Sequence, residues 1–304
     1  MSDRRKPIDG TAVAWLVLCC TLWGVNQIAA KLALAGIPPL TQASLRSLGA
    51  AALVLAWAAA RRIPLFWRDG TAFGGLLAGA LFAGEFACIF FGLQWTSASR
   101  MVVFLYLAPF VVALGMPFIA RAERLSASQT IGLLLAFSGV AYAFAEGFTQ
   151  PSVGAHQWIG DALGVGAAVL WGGTTLVIRA TPLSAASAEK TLLYQLGAAG
   201  ILLGLAAPLF GEHWPTQWTP LLLGSLLFQT VIVSFASYLL WFWLMRHYPA
   251  TRLASFTLLT PVFGLLAGAA LLDEPITQRL VIALFGVAIG IALVNRPQSA
   301  LVRR

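Results

Sequence analysis

Ten apolar runs, each about as long as a bilayer is thick, follow one another between residues 11 and 295, separated by little more than Pro, Gly and small charge clusters. Backbone facing lipid must satisfy its own N–H and C=O groups. Such runs are therefore helices unless they alternate polar and apolar residues as barrel strands do, and none of these does. The predicted spans are 11–34, 39–60, 71–93, 97–119, 127–145, 158–179, 184–208, 217–244, 250–272 and 277–295. At about 20 residues per crossing they occupy most of the 304 residues, with only 10% charged against roughly 25% in a soluble domain. The fold class expected is an all-α membrane protein with no room for a soluble domain.

The basic residues fix an orientation. With the N-terminus inside, Arg4, Arg5, Lys6, Arg61, Arg62, Arg68, Arg121, Arg124, Arg179, Arg246, Arg252, Arg296, Arg303 and Arg304 fall on the cytoplasmic side. Lys31, Arg100 and Arg279 fall outside, and Arg46 and Lys190 within spans. This bias is the positive-inside pattern, and it places both termini in the cytoplasm. Arg4, Arg5 and Lys6 precede an apolar run over 11–35, which outruns the roughly 7–15 residues of a signal-peptide core, so an uncleaved first span is expected.

The net charge of +8 accompanies no nucleic-acid-binding motif. Cys19, Cys20 and Cys88 lie inside apolar runs without metal-ligand spacing, and His156, His213 and His247 lie in or beside loops without acidic partners. Phosphate loops and nucleophile elbows are absent. No enzyme activity, metal or cofactor is expected. Without a nucleotide-binding domain, any transport draws on a gradient or on none.

The chain also repeats itself. Residues 90–109 align without a gap on 242–261, sharing Phe90/Phe242, Ala98/Ala250, Arg100/Arg252, Phe104/Phe256, Leu107/Leu259 and Pro109/Pro261. Leu22-Trp23-Gly24 matches Leu170-Trp171-Gly172. An odd number of spans, five, separates the copies, so the second enters the membrane from the opposite face. The organisation expected is two inverted five-helix repeats around a central cavity, 1–145 and 158–295, with a linker over 146–157 and a cytoplasmic tail over 296–304. In such repeats the substrate site lies near the midplane.

Trp23 and Trp171 stand roughly 18 Å into their helices at 1.5 Å per residue, too deep for the headgroup belt. Asn26 and Gln27 follow the first, Thr174 and Thr175 the second. An aromatic plane beside amides or hydroxyls suits a ligand with an apolar body and a polar head; equally, Gly24 and Gly172 can serve helix packing. Glu85 is a carboxylate at a span centre, where charge is costly. It can bind a substrate amine, carry a proton or sit hydrogen-bonded as a structural element. Tyr106, Phe256, Tyr194, Gln195, Gln229, Tyr238 and Trp241 are further candidates for the cavity wall.

Gating or helix-bending candidates are Arg46, Glu189, Lys190, Pro109 and Pro261. Aligning Pro39-Leu40-Thr41-Gln42-Ala43-Ser44 with Pro182-Leu183-Ser184-Ala185-Ala186-Ser187 puts Arg46 and Glu189-Lys190 at equal depth on opposite sides. There they can pair in one state and part in another, or snorkel to the interface. The prolines predict kinks in the middle of the fourth and ninth spans. Gly75 and Gly79 offer a small-residue face for helix association, while oligomeric state has no signature in the sequence.

These residues resemble the drug/metabolite transporter superfamily, in particular its ten-helix exporters with two EamA-type halves. The resemblance rests on the two Leu-Trp-Gly motifs, the Arg46-bearing second helix, the Ala-Ser/Thr-Arg start and central proline of the fourth and ninth helices, and Asp273-Glu274-Pro275. It covers essentially the whole chain. Within that superfamily the chain is similar to bacterial aromatic-amino-acid exporters of the YddG type. This implies a multi-pass inner-membrane protein exporting aromatic and other apolar amino acids by alternating access, with membrane lipids and a small-molecule substrate as partners. Export of other small metabolites or cationic drugs, with Glu85 as counter-charge, and a non-transporting membrane role are the alternatives.

Overall fold

The computed structural model describes residues 6–66, 69–149, 154–271 and 278–296. Among these it is built of helices: α1 (Gly10–Ala33), α2 (Pro39–Ala60), α3 (Ala72–Gly92), α4 (Ala98–Leu105), α5 (Ala108–Ile119), α6 (Ala127–Ala143), α7 (Glu146–Thr149), α8 (Gln157–Ala180), α9 (Ala188–Leu209), α10 (Pro220–Leu227), α11 (Tyr238–His247), α12 (Ala250–Phe256), α13 (Leu259–Leu271) and α14 (Gln278–Val294). Eight helical stretches are long and apolar enough to cross a membrane; α4–α5, α10–α11 and α12–α13 each count as one. The fifth and tenth predicted spans are α6 and α14, 17 residues each, the shortest length that still crosses a bilayer at 1.5 Å per residue. They pack on one another through glycines: a Cβ on Gly132 would meet Gly290 O at 2.7 Å.

Capping explains several starts. Asp9 accepts from Ala12 N at 2.8 Å, and Ser126 and Gln129 form a capping box. The N-terminus of α2 is capped from the 210–219 loop: Glu212 accepts from Leu40 N at 2.9 Å and from Thr41 N at 2.8 Å. A carboxylate at those orphan amides also meets the positive end of the helix dipole.

The packing obeys the exchange of halves. α3 packs on α8 as the α10–α11 span packs on α1. α5 packs on α8 as α13 packs on α1. α2 packs on α9 and α6 on α14, each element against its own counterpart. The two halves are thus interleaved, not stacked side by side.

Two expectations are corrected. Pro109 and Pro261 do not kink continuous helices: each belongs to the first turn of a new helix, α5 or α13, after breaks at Tyr106–Leu107 and Thr257–Leu258. A proline there costs little, because first-turn N–H groups have no intrahelical acceptor. The PLS segment aligned with the start of α2 forms a separate 3₁₀ turn, Pro182–Ser184, and α9 begins only at Ala188. Glu189 and Lys190 therefore lie in a first turn, whereas Arg46 is two turns into α2, so they do not hold equivalent positions in their helices. Gly75 and Gly79 do serve helix association, within the chain: added Cβ atoms would strike Tyr194 Cγ at 2.3 Å and Ala198 Cβ at 2.5 Å on α9. Asp273-Glu274-Pro275 lie outside the described residues.

One span has an irregular middle. Between α10 and α11, Phe228–Ser237 runs as a ten-residue π-helix. This wider winding brings Gln229, Val233, Ser234 and Ser237 onto one buried face, and such segments recur at functional sites.

Candidate functional site

The two Leu-Trp-Gly motifs do two jobs at once. At Gly24 a Cβ would lie 2.6 Å from Gly264 N; at Gly172, 2.5 Å from Val111 Cβ. Each glycine lets α1 or α8 approach the second half of a broken span, and that approach turns the preceding tryptophan inward. Trp23 donates from Nε1 to Ser237 Oγ at 2.9 Å, on the π-helical face, and Ser237 donates onward to Val233 O at 2.6 Å.

Around Trp23 an aromatic wall assembles from three spans. Its ring lies edge-on to Trp241 at 5.2 Å and to Tyr238 at 6.0 Å; Tyr238 meets Phe82 at 6.3 Å, and Phe82 meets Phe86 at 4.9 Å. From the other half, Trp171 packs edge-on to Tyr106 at 5.6 Å. These edge-to-face arrangements are the favoured ones for aromatic pairs. Sequence reading missed Phe82 and Phe86. Their signal was available, at one turn's spacing on the same helix as Glu85.

Two ionisable groups, one basic and one acidic, sit beside these rings. Arg46 is 4% exposed and Glu85 7%. The Arg46 guanidinium lies flat over the Phe86 ring at 4.5 Å, a cation–π contact, and also interacts with Tyr238. Glu85 interacts electrostatically with Arg46, Tyr106 and Tyr238, yet the two charges do not approach within the 4.0 Å of an ion pair. Arg46 Nε and Nη2, Glu85 Oε2, Ser47 Oγ, Gln195 Oε1 and Ser234 Oγ are buried without a hydrogen-bond partner among the described residues. Each such atom costs about 1–3 kcal/mol, so the bundle keeps these buried polar atoms at the expense of stability.

Other sequence candidates go elsewhere. Thr174 donates back to Leu170 O at 2.9 Å, committing its hydroxyl to its own helix. Tyr194 lies over Gly75 at the α3–α9 crossing. Lys190 pairs with Asp69 at 2.8 Å, and that ammonium, with the Thr71 hydroxyl, holds the Asp69 carboxyl down to about 2. Glu189 is half-buried in the first turn of α9. Asn26 keeps its Oδ1 buried and without a partner among the described residues, while Gln27, one turn from Trp23 on the same face of α1, is exposed. A surface groove lined by Gly10, Thr11, Ala14, Trp15 and Leu18 lacks any charged group and is remote from this chemistry.

The two ends of the bundle differ. At the end carrying the N-terminus, every residue of α12 except Arg252 is buried. Glu123 there pairs with Arg179 and accepts from Thr251 N at 3.2 Å, joining the ends of α5, α8 and α12. At the opposite end the repeat-related α4 buries Met101 and Val103 alone among its described side chains, and its Arg100 is held by Asp161, which also accepts from Thr96 at 2.7 Å. The α12–α13 span is 67% buried against 33% for its counterpart. Lys31, two turns from Trp23 on α1 and the repeat equivalent of Arg179, is exposed at this end. The bundle is shut at the end of its termini and looser at the other.

Comparison with known proteins follows this geometry. Residues 10–145 and 158–296 each match the model of the EamA-like transporter family. The "Uncharacterized transporter YvbV" of Bacillus subtilis (strain 168) is 30% identical, the match covering 99% of this chain and 95% of that one. Proteins named "Probable amino-acid metabolite efflux pump" from Escherichia coli (strain K12) and Salmonella typhimurium (strain LT2) are 28% and 30% identical, each match covering 86% of this chain and 87% of the relative. A crystal structure superposes with a TM-score of 0.79 at 18% identity, covering 91% of this chain and 94% of that one; it shares the fold.

Proposed function

The chain belongs to the EamA-like transporter family, and from that premise we propose that it is a secondary exporter of aromatic and other apolar amino acids, working by alternating access. Membership makes it a multi-pass membrane transporter of a small molecule. The substrate class is the proposed part. The observation that carries it is the midplane cluster itself. Five aromatic rings (Trp241, Trp23, Tyr238, Phe82 and Phe86) form a chain of contacts that reaches Arg46, and Trp171 packs on Tyr106, which interacts with Glu85; both Arg46 and Glu85 carry buried unsatisfied atoms. Rings match an apolar side chain, and unsatisfied buried atoms discriminate for a polar head, since a ligand that lacks it leaves them unpaired. Names of relatives as amino-acid metabolite efflux pumps agree with this reading.

Alternating access has support in the asymmetry of the ends. Inverted repeats that adopt unlike packing give one closed and one open end, and exchanging the two packings moves the opening across the membrane. We place the chain in a bacterial inner membrane with cytoplasmic termini, following the basic residues; the closed end is then the cytoplasmic one. The site would be loaded from the cytoplasm after the Glu123–Arg179 seal parts, and emptied outward in the state seen here. Trp171→Ala and Glu85→Ala are expected to abolish amino-acid counterflow in proteoliposomes at normal expression. Undiminished flux in both variants would remove the midplane cluster from the transport path.

A further inference from the structure

Sequence spacing makes Arg46 a gate residue, but the structure puts it in the substrate cluster, and the atoms it leaves unsatisfied are informative. Phe86 covers the flat face of the guanidinium. The two nitrogens buried without partners among the described residues, Nε and Nη2, share one edge, the edge that takes a carboxylate in a two-bonded fork. Glu85 presents the complementary deficit: Oε2 is buried and unpartnered, and the carboxylate stands beyond ion-pair distance of Arg46. The two side chains thus interact electrostatically without forming an ion pair that would satisfy these atoms.

We propose that Arg46 and Glu85 form a head-group clamp for a zwitterionic α-amino acid, Arg46 taking the carboxylate through Nε and Nη2 and Glu85 taking the ammonium. This rests on the amino-acid reading above and specifies how the site selects within it. The electrostatics favour a zwitterion over either half of one. An organic cation satisfies Glu85 but adds positive charge beside a buried guanidinium that still lacks its acceptor. An organic anion leaves Glu85 unpaired in the same way. A zwitterion satisfies both and adds no net charge, at a depth where each uncompensated charge costs several kcal/mol. The rings of Trp23, Phe82, Tyr238 and Trp241 then receive the apolar side chain.

Three probes of one shape separate the ends of the ligand: L-phenylalanine, 2-phenylethylamine, which lacks the carboxylate, and 3-phenylpropionate, which lacks the ammonium. Binding to the purified full chain in detergent is read by equilibrium dialysis. Wild type is expected to hold L-phenylalanine at least tenfold tighter than either half-molecule. Arg46→Met should weaken L-phenylalanine at least tenfold and leave 2-phenylethylamine unchanged or tighter. Glu85→Gln should weaken L-phenylalanine likewise and leave 3-phenylpropionate unchanged or tighter. Arg46→Lys keeps the charge without the fork and serves the same comparison if Arg46→Met does not fold. Selective wild-type binding of L-phenylalanine that survives Arg46→Met and Arg46→Lys overturns the clamp alone. Loss of all three probes in equal proportion in both variants overturns it in favour of a structural role. Wild-type binding of 2-phenylethylamine as tight as L-phenylalanine, or binding of none of the three, overturns the clamp together with the amino-acid reading.

Discussion

Glu123→Gln removes one charge from the seal at the terminal end and changes little else. The side chain keeps its size and one acceptor oxygen, but Arg179 loses its carboxylate in a place where the two side chains are 2% and 5% exposed. Breaking a buried pair by deleting one partner costs about 3–5 kcal/mol. Thr251 N, at the start of α12, loses its charged acceptor in addition. The cost falls only on the state in which α5, α8 and α12 meet. At about 1.4 kcal/mol per factor of ten, the opening equilibrium at this end should shift by roughly 10²- to 10³-fold. Ser255, fully buried in α12, is a reporter. With Cys19, Cys20 and Cys88 replaced by Ser, a Ser255→Cys chain in oriented vesicles is treated with a membrane-impermeant maleimide from the side of the termini. Labelling should be slow with Glu123 in place and rise in Glu123→Gln and Arg179→Gln until the open state dominates. Exchanging the charges, Glu123→Arg with Arg179→Glu, should restore part of the protection. Unaltered labelling in folded single variants would refute the assignment of this pair as a seal.

Three further expectations follow from individual contacts. Gly24→Ala and Gly172→Ala place a methyl at 2.6 Å from Gly264 N and 2.5 Å from Val111 Cβ, overpacking worth about 1–3 kcal/mol. Gly224→Ala meets nothing within 4 Å, so thermal unfolding in detergent should fall in the first two and hold or rise in the third. Trp23→Phe keeps the ring wall but loses the bond to Ser237, lowering stability in the same assay by about 0.5–1.5 kcal/mol; no loss would show that bond to be without weight. Asp69 has its pKa depressed from 3.8 to about 2 by Lys190 and Thr71. Its contribution is complete above the unfolded value and vanishes as pH falls through the folded one. The difference in unfolding temperature between wild type and Asp69→Asn should therefore be flat at neutral pH and disappear between 3.8 and about 2; a difference changing near neutrality would contradict that pairing.

Much of the fold was legible because hydropathy and helical period are local. The starts of α1, α2 and α6 fall within a residue of expectation, since Asp9, Pro38-Pro39 and Ser126 are stop-and-start signals readable in place. The breaks before Pro109 and Pro261 were misread as kinks. Proline signals a disturbed helix, and whether the chain bends or restarts depends on what packs against the freed backbone. The π-helical turns at Phe228–Ser237 carried no such signal, because their residues are ordinary helix residues whose winding is set by α1 and α2 alongside.

The site divides in the same way. Trp23, Glu85, Trp171 and Tyr238 were selected by depth and chemistry, which a linear sequence displays. Arg46 was selected for gating alone, and Phe86, Glu123 and Arg179 were passed over, because their contacts rest on partners 40 to 192 residues away. By itself the sequence determined that this chain crosses a membrane as helices, that it is a duplication with one copy inverted, and that aromatic and charged groups lie at mid-depth. Tertiary structure alone decided which of those groups share a space, which end of the bundle is shut and which charge is already neutralised. Periodicity orients a residue around its own helix axis, but the direction that counts as inward, and the partner found there, exist only once the interleaved halves have packed.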